Sequence, residues 1–305
     1  MIQVFFLYAI CAITFTLSKA ALSYSAPFFY VAIRMLVASV VLLIFAELSK
    51  DKSKKIIYTN TTQINKRTLF LFIQITLFHM SIPYLAEMWA LTRITSTESA
   101  LLYNLSPFIA AFFSYVWFSE RLSKRQIIGL IIGMSATIPL MWQNYACSLQ
   151  TILSGNIIAI FAVLVAVISS AYAWILVKDL LQKNYSIFFI NGIAMLGSGI
   201  IALVVSLCSH EWAHGVPVSA WIPFITLTLA IIVVANIIFY NWYGILLKKY
   251  SATLLAFAGI LTPIFTNIFG TFFLNECFVW TNVLAFILLS IGLILFLWKK
   301  SSIKE

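Results

Sequence analysis

Residues 100–133, ALLYNLSPFIAAFFSYVWFSERLSKRQIIGLIIG, decide the fold of this chain. They read as an apolar helix, a short charged turn, and a second apolar helix that contains two glycines. The pattern returns 156 residues later, where Pro107 corresponds to Pro263 and Glu120 to Glu276. Further pairs are identical in this register: Tyr84 and Tyr240, Leu91 and Leu247, Thr97 and Thr253, and Phe113 and Phe269. Because the offset stays constant over about 40 residues, we interpret it as an internal repeat.

The composition is that of an integral membrane protein. Hydrophobic residues make up 63% of the 305 residues and charged residues only 9%, whereas a soluble domain has about 25% charged residues. Apolar runs of about 20 residues recur along the whole chain. The net charge of +10 does not indicate a nucleic-acid partner, because the basic residues lie in short turns between the apolar runs.

The apolar runs predict an all-α integral membrane protein with ten transmembrane helices. We place these helices at 2–22, 27–48, 68–91, 97–118, 124–142, 154–177, 185–207, 221–247, 251–274 and 279–298. With the N-terminus in the cytoplasm, 16 of the 19 Lys and Arg residues lie in cytoplasmic segments. This bias supports both the helix count and cytoplasmic N- and C-termini.

The repeat and the charges agree with each other. A five-helix unit has an odd number of spans, so its second copy must be inverted in the membrane. We therefore expect two inverted five-helix repeats, at 1–143 and 144–305. The turn after the fourth helix is then cytoplasmic and basic, whereas its counterpart around Glu276 is external and has no basic residue.

At this point the chain resembles the EamA branch of the drug/metabolite transporter superfamily. The residues that carry the resemblance are Lys19, Pro27, Arg34, the run from Ala90 to Ala100, Pro107, the run Glu120-Arg121-Leu122-Ser123, Gly129 and Gly133. The second half keeps Pro263 and Glu276 but has Ala285 where a glycine is expected. The resemblance implies two inverted five-helix repeats, a central cavity, alternating access and transport of a solute that the family alone does not fix.

Three charged residues are predicted inside the outer half of the membrane: Lys19, Arg34 and Glu87. Such groups are functional candidates, because a charge in the hydrocarbon region costs about 2.5–3.5 kcal/mol on insertion scales. A carboxylate that faces two cations suits a zwitterion, but a purely structural Arg34–Glu87 pair explains them equally well. We expect the two side chains to approach within salt-bridge or single-water distance in at least one state, facing the cavity. Lys19 has the alternative of extending to the membrane surface.

Polar and aromatic residues complete the predicted solute site. His79 is a candidate for proton coupling, although a neutral histidine bonded to a neighbouring helix is the commoner case. The other candidates for solute binding are Tyr84, Tyr103, Asn104, Trp174, Asn191, Tyr240, Asn241 and Tyr243, with Asn236 on the same helix as the last three. Aromatic faces beside amides suit a planar or cationic solute, but Trp and Tyr also anchor helices at the membrane interface. Pro107 and Pro263 are expected to act as hinges or as simple packing kinks.

One motif indicates another class of protein. His210-Glu211-Trp212-Ala213-His214 matches the zinc protease pattern H-E-x-x-H, in which two ligands lie one helical turn apart beside a glutamate. Here it falls in an external loop, followed at once by Gly215 and Pro217. This context is poor for a protease, but the motif matches in full, so a membrane zinc metallopeptidase is kept as an alternative.

The sequence thus predicts secondary active transport of a small polar metabolite by alternating access in a cell inner membrane. The expected solute is an amino acid or a derivative such as S-adenosylmethionine, and an exporter of toxic amphipathic compounds is a further alternative. We expect no enzymatic activity and no cofactor or metal. The expected partners are the small-molecule solute and the lipid bilayer, and a homodimer is left open. The chain has no Walker-type loop, so a proton gradient or solute exchange must drive transport.

Overall fold

The helices were located in a computed structural model, which describes residues 2–48, 66–94, 99, 102–119, 122–136, 138, 157–213, 215–262, 264–265 and 280–297. We label the helices in chain order: α1 Ile2–Leu22, α2 Pro27–Leu48, α3 Lys66–Leu91, α4 Ser106–Phe118, α5 Lys124–Ser135, α6 Ile157–Gln182, α7 Ile187–Cys208, α8 Trp221–Leu247, α9 Ala252–Ala258 and α10 Trp280–Leu297. Within these ranges, a single isolated β-bridge joins Ser25 to Val218 and no strand is present.

Six of the helices in the described part of the chain are long and apolar enough to cross a membrane: α1, α2, α3, α6, α7 and α8. α4 and residues Phe286–Phe296 of α10 form shorter apolar helices. Each described helix overlaps an apolar run that predicts one, and the count of ten spans remains a prediction.

Charged and polar side chains stabilise the end of α6 and the start of α5. α6 was expected to end at residue 177, before the charged pair that follows, but it continues to Gln182. The extension carries a salt bridge of 2.8 Å between Asp179 and Lys183, four residues apart on one helix face. α5 begins with a capping box, in which Ser123 and Gln126 each bond the other's backbone N–H.

α3 and α8 each contain a π-helical segment, which the sequence did not predict. The segments are Thr76–Ser81 in α3 and Ile232–Phe239 in α8, and their first residues are separated by the repeat offset of 156 residues that also separates Tyr84 from Tyr240. Polar side chains add hydrogen bonds to carbonyl groups of both segments: Ser81 Oγ donates to the Thr76 carbonyl at 2.8 Å, and Asn241 Nδ2 to the Asn236 carbonyl at 3.1 Å. π-Bulges of this kind are frequent at functional sites.

The expected helices at 97–118 and 251–274 are both interrupted. Asn104 and Leu105 form a turn just before Pro107, and Gly259 and Ile260 form a turn after α9. Each turn is closed by a three-residue backbone bond, from Leu105 N to Leu102 O at 3.1 Å and from Gly259 N to Ala256 O at 3.0 Å. A proline disrupts the helix before it, because it lacks an N–H and clashes with the preceding turn. Pro263 itself lies outside the described residues.

The helices of the two halves pack against each other in corresponding pairs. α2 packs on α7, α4 on α9 and α5 on α10. At the α5–α10 contact, a Cβ on Gly292 would lie 2.6 Å from the Gly129 carbonyl oxygen and 2.7 Å from Gly133 Cα. Small residues let helices approach this closely in membranes. Gly292 therefore supplies, about two helical turns further along α10, the glycine that was expected at position 285.

Candidate functional site

A cavity lies among α1, α2, α3, α6, α8 and the segments around α4 and α9. Seven of the residues predicted to bind solute line it: Arg34, Tyr84, Glu87, Tyr103, Trp174, Tyr240 and Tyr243. Both halves of the chain contribute to its wall. This is the place where the sequence-based candidates come together.

The positive charge of the cavity is Arg34. This side chain is only 1% exposed, and its described hydrogen bonds go to neutral groups. Nε donates to Asn236 Oδ1 at 2.7 Å, and Nη2 donates to Tyr84 Oη at 3.2 Å. The guanidinium also lies over the Tyr84 ring, 4.7 Å from its centroid, a cation–π geometry.

The negative charge of the cavity is Glu87, which is 8% exposed. Tyr103 Oη donates to Glu87 Oε2 at 3.0 Å, and Ser99 Oγ lies 3.4 Å from Oε1. No ion pair within 4.0 Å joins Glu87 to Arg34 in the described structure. The described residues of the cavity wall thus include two opposite charges, each held by neutral partners, and the closer approach of Arg34 to Glu87 stays a prediction.

An aromatic wall connects the two halves of the chain. The Trp174 ring stacks on Tyr243 with centroids 3.9 Å apart and an interplanar angle of 26°. It is also nearly parallel to Tyr240, at 5.7 Å and 18°. Tyr84 Oη donates to Tyr240 Oη at 2.8 Å, so these two repeat-related residues meet directly. The wall offers flat π faces beside hydroxyl groups, an arrangement suited to a planar or cationic ligand.

His79 lies behind this wall and not in it. Its ring meets Trp174 edge-on at 4.4 Å and Tyr240 at 5.3 Å. Neither ring nitrogen has a hydrogen-bond partner among the described protein atoms. His79 therefore contacts the residues that line the cavity, and its part in proton coupling stays a prediction.

The amides of α7 and α8 form a second layer outside the cavity. Asn191 Nδ2 donates to Asn241 Oδ1 at 3.2 Å, and Asn241 Nδ2 donates to the Ile237 carbonyl at 2.8 Å. Neither residue lines the cavity. Their geometry supports the π-helical segment of α8, so any effect on a solute acts through α8.

Lys19 and Asn104 also lie away from the cavity wall. The Lys19 ammonium donates to the Leu91 carbonyl and, at 2.9 Å, to the Ile94 carbonyl. A cation at a helix C-terminus interacts favourably with the exposed carbonyl groups there. Asn104 is buried in the turn before Pro107. Direct solute contacts of both residues remain predictions.

Glu211 of the H-E-x-x-H motif has a structural partner of its own. Its carboxylate accepts hydrogen bonds from the backbone N–H groups of Phe28 and Phe29, each at 2.9 Å, at the start of α2. Ser206 Oγ also donates to it, at 2.5 Å. The segment from residue 209 to 213 forms turns and not a helix, and His214 lies outside the described residues. This geometry does not favour a zinc protease, which needs the two histidines on one helix face.

Comparison with known proteins identifies the family. The EamA-like transporter family matches residues 1–142 and 157–298, which together cover most of the chain. The chain belongs to the EamA-like transporter family. It is therefore a multi-pass membrane protein of transporter type, as its resemblance and its apolar helices indicated.

The relatives of this EamA-like protein include named transporters. The S-adenosylmethionine/S-adenosylhomocysteine transporter of Chlamydia trachomatis serovar L2 is 27% identical over 269 residues, which are 87% of this chain and 79% of that protein. A protein of the same name from Chlamydia muridarum is 27% identical over 279 residues, 87% of this chain and 81% of that protein. An uncharacterised transporter of Bacillus subtilis is 24% identical over 89% of this chain and 82% of that protein.

The EamA-like fold is also present in a solved crystal structure. That structure superposes with a TM-score of 0.69, covering 96% of this chain and 93% of the other at 14% identity. Identity this low supports the fold alone. The structural agreement nevertheless extends over both halves of the chain.

Three features of this EamA-like structure were not predicted from the sequence. Ser99 was not named as a partner of Glu87, and Asn236 was noted only as one polar residue of its helix. Glu211 was interpreted through its motif and not as a helix cap. Asn236 could have been singled out because it is a lone amide in an apolar run, and a buried amide must find hydrogen-bond partners. The spacing of residues along the chain, however, could not identify Arg34 as its partner.

Proposed function

We propose that this EamA-like transporter carries S-adenosylmethionine, S-adenosylhomocysteine or a closely similar amino-acid derivative. The observation that supports this most is the combination of two separate, opposite charges with an aromatic wall in one cavity. The names of the chlamydial relatives support the same class of solute.

The chemistry of the solute matches the cavity group by group. The carboxylate of its amino-acid end suits the Arg34 guanidinium, and its ammonium suits the Glu87 carboxylate. Its adenine ring suits the face of Trp174, because a base stacked on an aromatic ring contributes about 1–3 kcal/mol. The positive sulfonium of S-adenosylmethionine suits the tyrosine rings, which attract cations through their π faces.

For the architecture we propose ten spans in two inverted five-helix repeats, 1–143 and 144–305, with both termini cytoplasmic in a cell inner membrane. Three observations support this proposal. The family matches the chain twice, with the same offset as the Tyr84–Tyr240 pair; α2, α4 and α5 pack against α7, α9 and α10; and 16 of the 19 basic residues lie on one side of the proposed topology. Alternating access then consists of relative motion of the two repeats, with Pro107 and Pro263 as hinges.

Solute exchange or a proton gradient would drive the transport. Exchange suits a cavity that accepts both a methylated solute and its demethylated product, which differ by one methyl group and one charge. His79 is the proposed proton-coupling residue, because it touches both Trp174 and Tyr240 and a histidine changes charge near neutral pH. A change in the charge of His79 would therefore alter its interaction with the Trp174 and Tyr240 rings.

The two alternatives differ from this proposal in measurable ways. A metallopeptidase using His210, Glu211 and His214 would cleave casein in a zinc-dependent manner and lose that activity in Glu211→Gln. An exporter of amphipathic compounds would be stabilised by lipophilic cations that lack an amino-acid group. The bonds of Glu211 to α2 and the buried charges of the cavity make both alternatives weaker than the proposed function.

A ligand panel tests the proposed function. Purified protein is melted with S-adenosylmethionine, S-adenosylhomocysteine, methionine, adenosine or a lipophilic quaternary amine, each at the same concentration. A ligand present at 100 times its dissociation constant stabilises the folded state by about 2.7 kcal/mol. We expect the two adenosyl amino acids to raise the melting temperature most and Glu87→Gln to fold but lose this shift. A shift from the lipophilic amine alone would favour the exporter and contradict the proposal.

A further inference from the structure

Asn236 lies at the contact between Arg34 and the second half of the chain. It belongs to the π-helical segment of α8 and is 0% exposed. Its Oδ1 accepts the hydrogen bond from Arg34 Nε at 2.7 Å. On the other side, its Nδ2 lies 3.5 Å from Met35 Sδ and 3.4 Å from Met195 Sδ. The amide therefore joins α2, α7 and α8 at one point.

This environment fixes the direction of the Asn236 amide. Thioether sulfurs are weak hydrogen-bond acceptors and have no N–H or O–H to donate. They can accept weak hydrogen bonds from the NH2 group, but they cannot donate one to the amide oxygen. Rotating the amide by half a turn would set its NH2 group against the guanidinium of Arg34, where donor faces donor. Oδ1 consequently points at Arg34.

The backbone that carries Asn236 is held from behind. Asn241 Nδ2 donates to the carbonyl oxygens of Asn236 and Ile237, at 3.1 and 2.8 Å. Asn191 of α7 bonds Asn241 in turn, at 3.2 Å. The amide layer thus stabilises the π-helical segment in the shape that presents Asn236 to Arg34.

The partners of Arg34 orient it without neutralising it. Asn236 and Tyr84 are both uncharged, and within the described ranges no carboxylate lies within 4.0 Å of the guanidinium. A buried charge is stabilised best by an opposite charge in good geometry. A ligand carboxylate therefore gains more from this guanidinium than from one already paired with Asp or Glu.

We propose that Asn236 is a positioning residue that sets the preference of the cavity for a solute bearing a carboxylate. It holds Nε of Arg34 while leaving the positive charge for the ligand. This inference rests on the proposed function, since it takes the solute to be an amino-acid derivative. It adds that the selecting feature is the uncharged amide at position 236, supplied by the second half of the chain.

The test replaces the amide by a carboxylate of the same shape, in Asn236→Asp. The new negative charge pairs with Arg34, so a ligand carboxylate gains less from binding to the guanidinium. Dissociation constants are measured for S-adenosylmethionine and for its decarboxylated analogue. Wild-type protein is expected to bind the carboxylate-bearing ligand at least tenfold more tightly than the decarboxylated analogue. In Asn236→Asp, this ratio of dissociation constants is expected to fall by a factor of at least ten. A purely structural role of Asn236 would weaken both ligands alike and leave the ratio unchanged.

A second variant keeps the test decisive if Asn236→Asp does not fold. Asn236→Leu removes the acceptor and adds no charge, so Arg34 loses its orientation, and the ratio between the two ligands is again expected to fall. An unchanged ratio in the variant that folds overturns the role of Asn236. Wild-type protein that binds neither ligand overturns the proposed function, and this inference with it.

Discussion

Glu211→Gln tests whether the motif glutamate is a helix cap. The carboxylate accepts from Phe28 N and Phe29 N through different oxygen atoms, each at 2.9 Å. These N–H groups belong to the first turn of α2, where backbone donors have no partner within the helix. Glutamine keeps one acceptor oxygen but replaces the other by an NH2 group, and it removes the charge that interacts with the helix dipole.

The expected loss of stability follows from these contacts. A hydrogen bond to a charged group contributes about 1.5–3 kcal/mol net, and an anion at a helix N-terminus about 0.3–1 kcal/mol when exposed. The two effects overlap, so we expect a loss of about 2 kcal/mol. At about 2–4 °C per kcal/mol, this corresponds to a fall in melting temperature of roughly 4–8 °C.

The assay is thermal unfolding of purified protein in detergent, with Asp179→Asn as the matched control. That control is also a carboxylate-to-amide change, but its salt bridge joins residues four apart at the end of α6, with the Lys183 side chain 36% and the Asp179 side chain 17% exposed. Such pairs contribute about 0.3–0.5 kcal/mol, so its melting temperature should change by no more than about 2 °C. Equal melting temperatures for wild type and Glu211→Gln would refute the cap, and loss of a zinc-dependent cleavage activity would revive the peptidase alternative.

Three further predictions follow from the packing, the topology and the aromatic wall. Gly292→Ala should destabilise the protein by about 1–3 kcal/mol through overpacking, because the added methyl lies 2.6 Å from a carbonyl of α5. Ile291→Ala, on an exposed face, is the control. Equal melting temperatures for wild type and Gly292→Ala would contradict the close α5–α10 contact. Cysteines introduced at Asn144 and Lys54 should be labelled from outside and from inside respectively, and the reverse pattern would overturn the inverted repeat. Trp174→Ala should weaken adenosyl ligands by about 1–3 kcal/mol, measured by calorimetry, and unchanged affinity would remove the ring from the site.

Much of the fold could be predicted because its causes are local. Apolar runs long enough for a bilayer locate the helices, and the repeat offset relates Tyr84 to Tyr240, which are bonded in the structure. Prolines indicate where a helix breaks, although the turn at Asn104 and Leu105 shortens α4 more than the apolar pattern suggests. Locating helices by apolar runs fails at the end of α6. Lys178 and Asp179 end the apolar run, but the helix continues to Gln182.

Seven of the eleven predicted solute-binding residues line one cavity, but the pairings of their side chains could not be predicted. Charged residues in apolar runs identify Arg34 and Glu87, since such groups are costly to bury without a use. Which atoms meet depends on contacts between distant helices, and no spacing encodes the bond from Arg34 to Asn236, 202 residues away. The same holds for Lys19, whose bonds to the Leu91 and Ile94 carbonyls at the end of α3 give it a capping role that its depth in the membrane does not reveal.

Counterflow in proteoliposomes tests the central claim most directly. Vesicles containing the purified protein are loaded with S-adenosylhomocysteine, and the entry of labelled S-adenosylmethionine is followed. We expect entry several times faster than into unloaded vesicles, loss of entry in Glu87→Gln, and retained entry per folded protein in Asp179→Asn. Labelled solute that enters no faster than into protein-free vesicles, or equally fast through Glu87→Gln, would contradict the account.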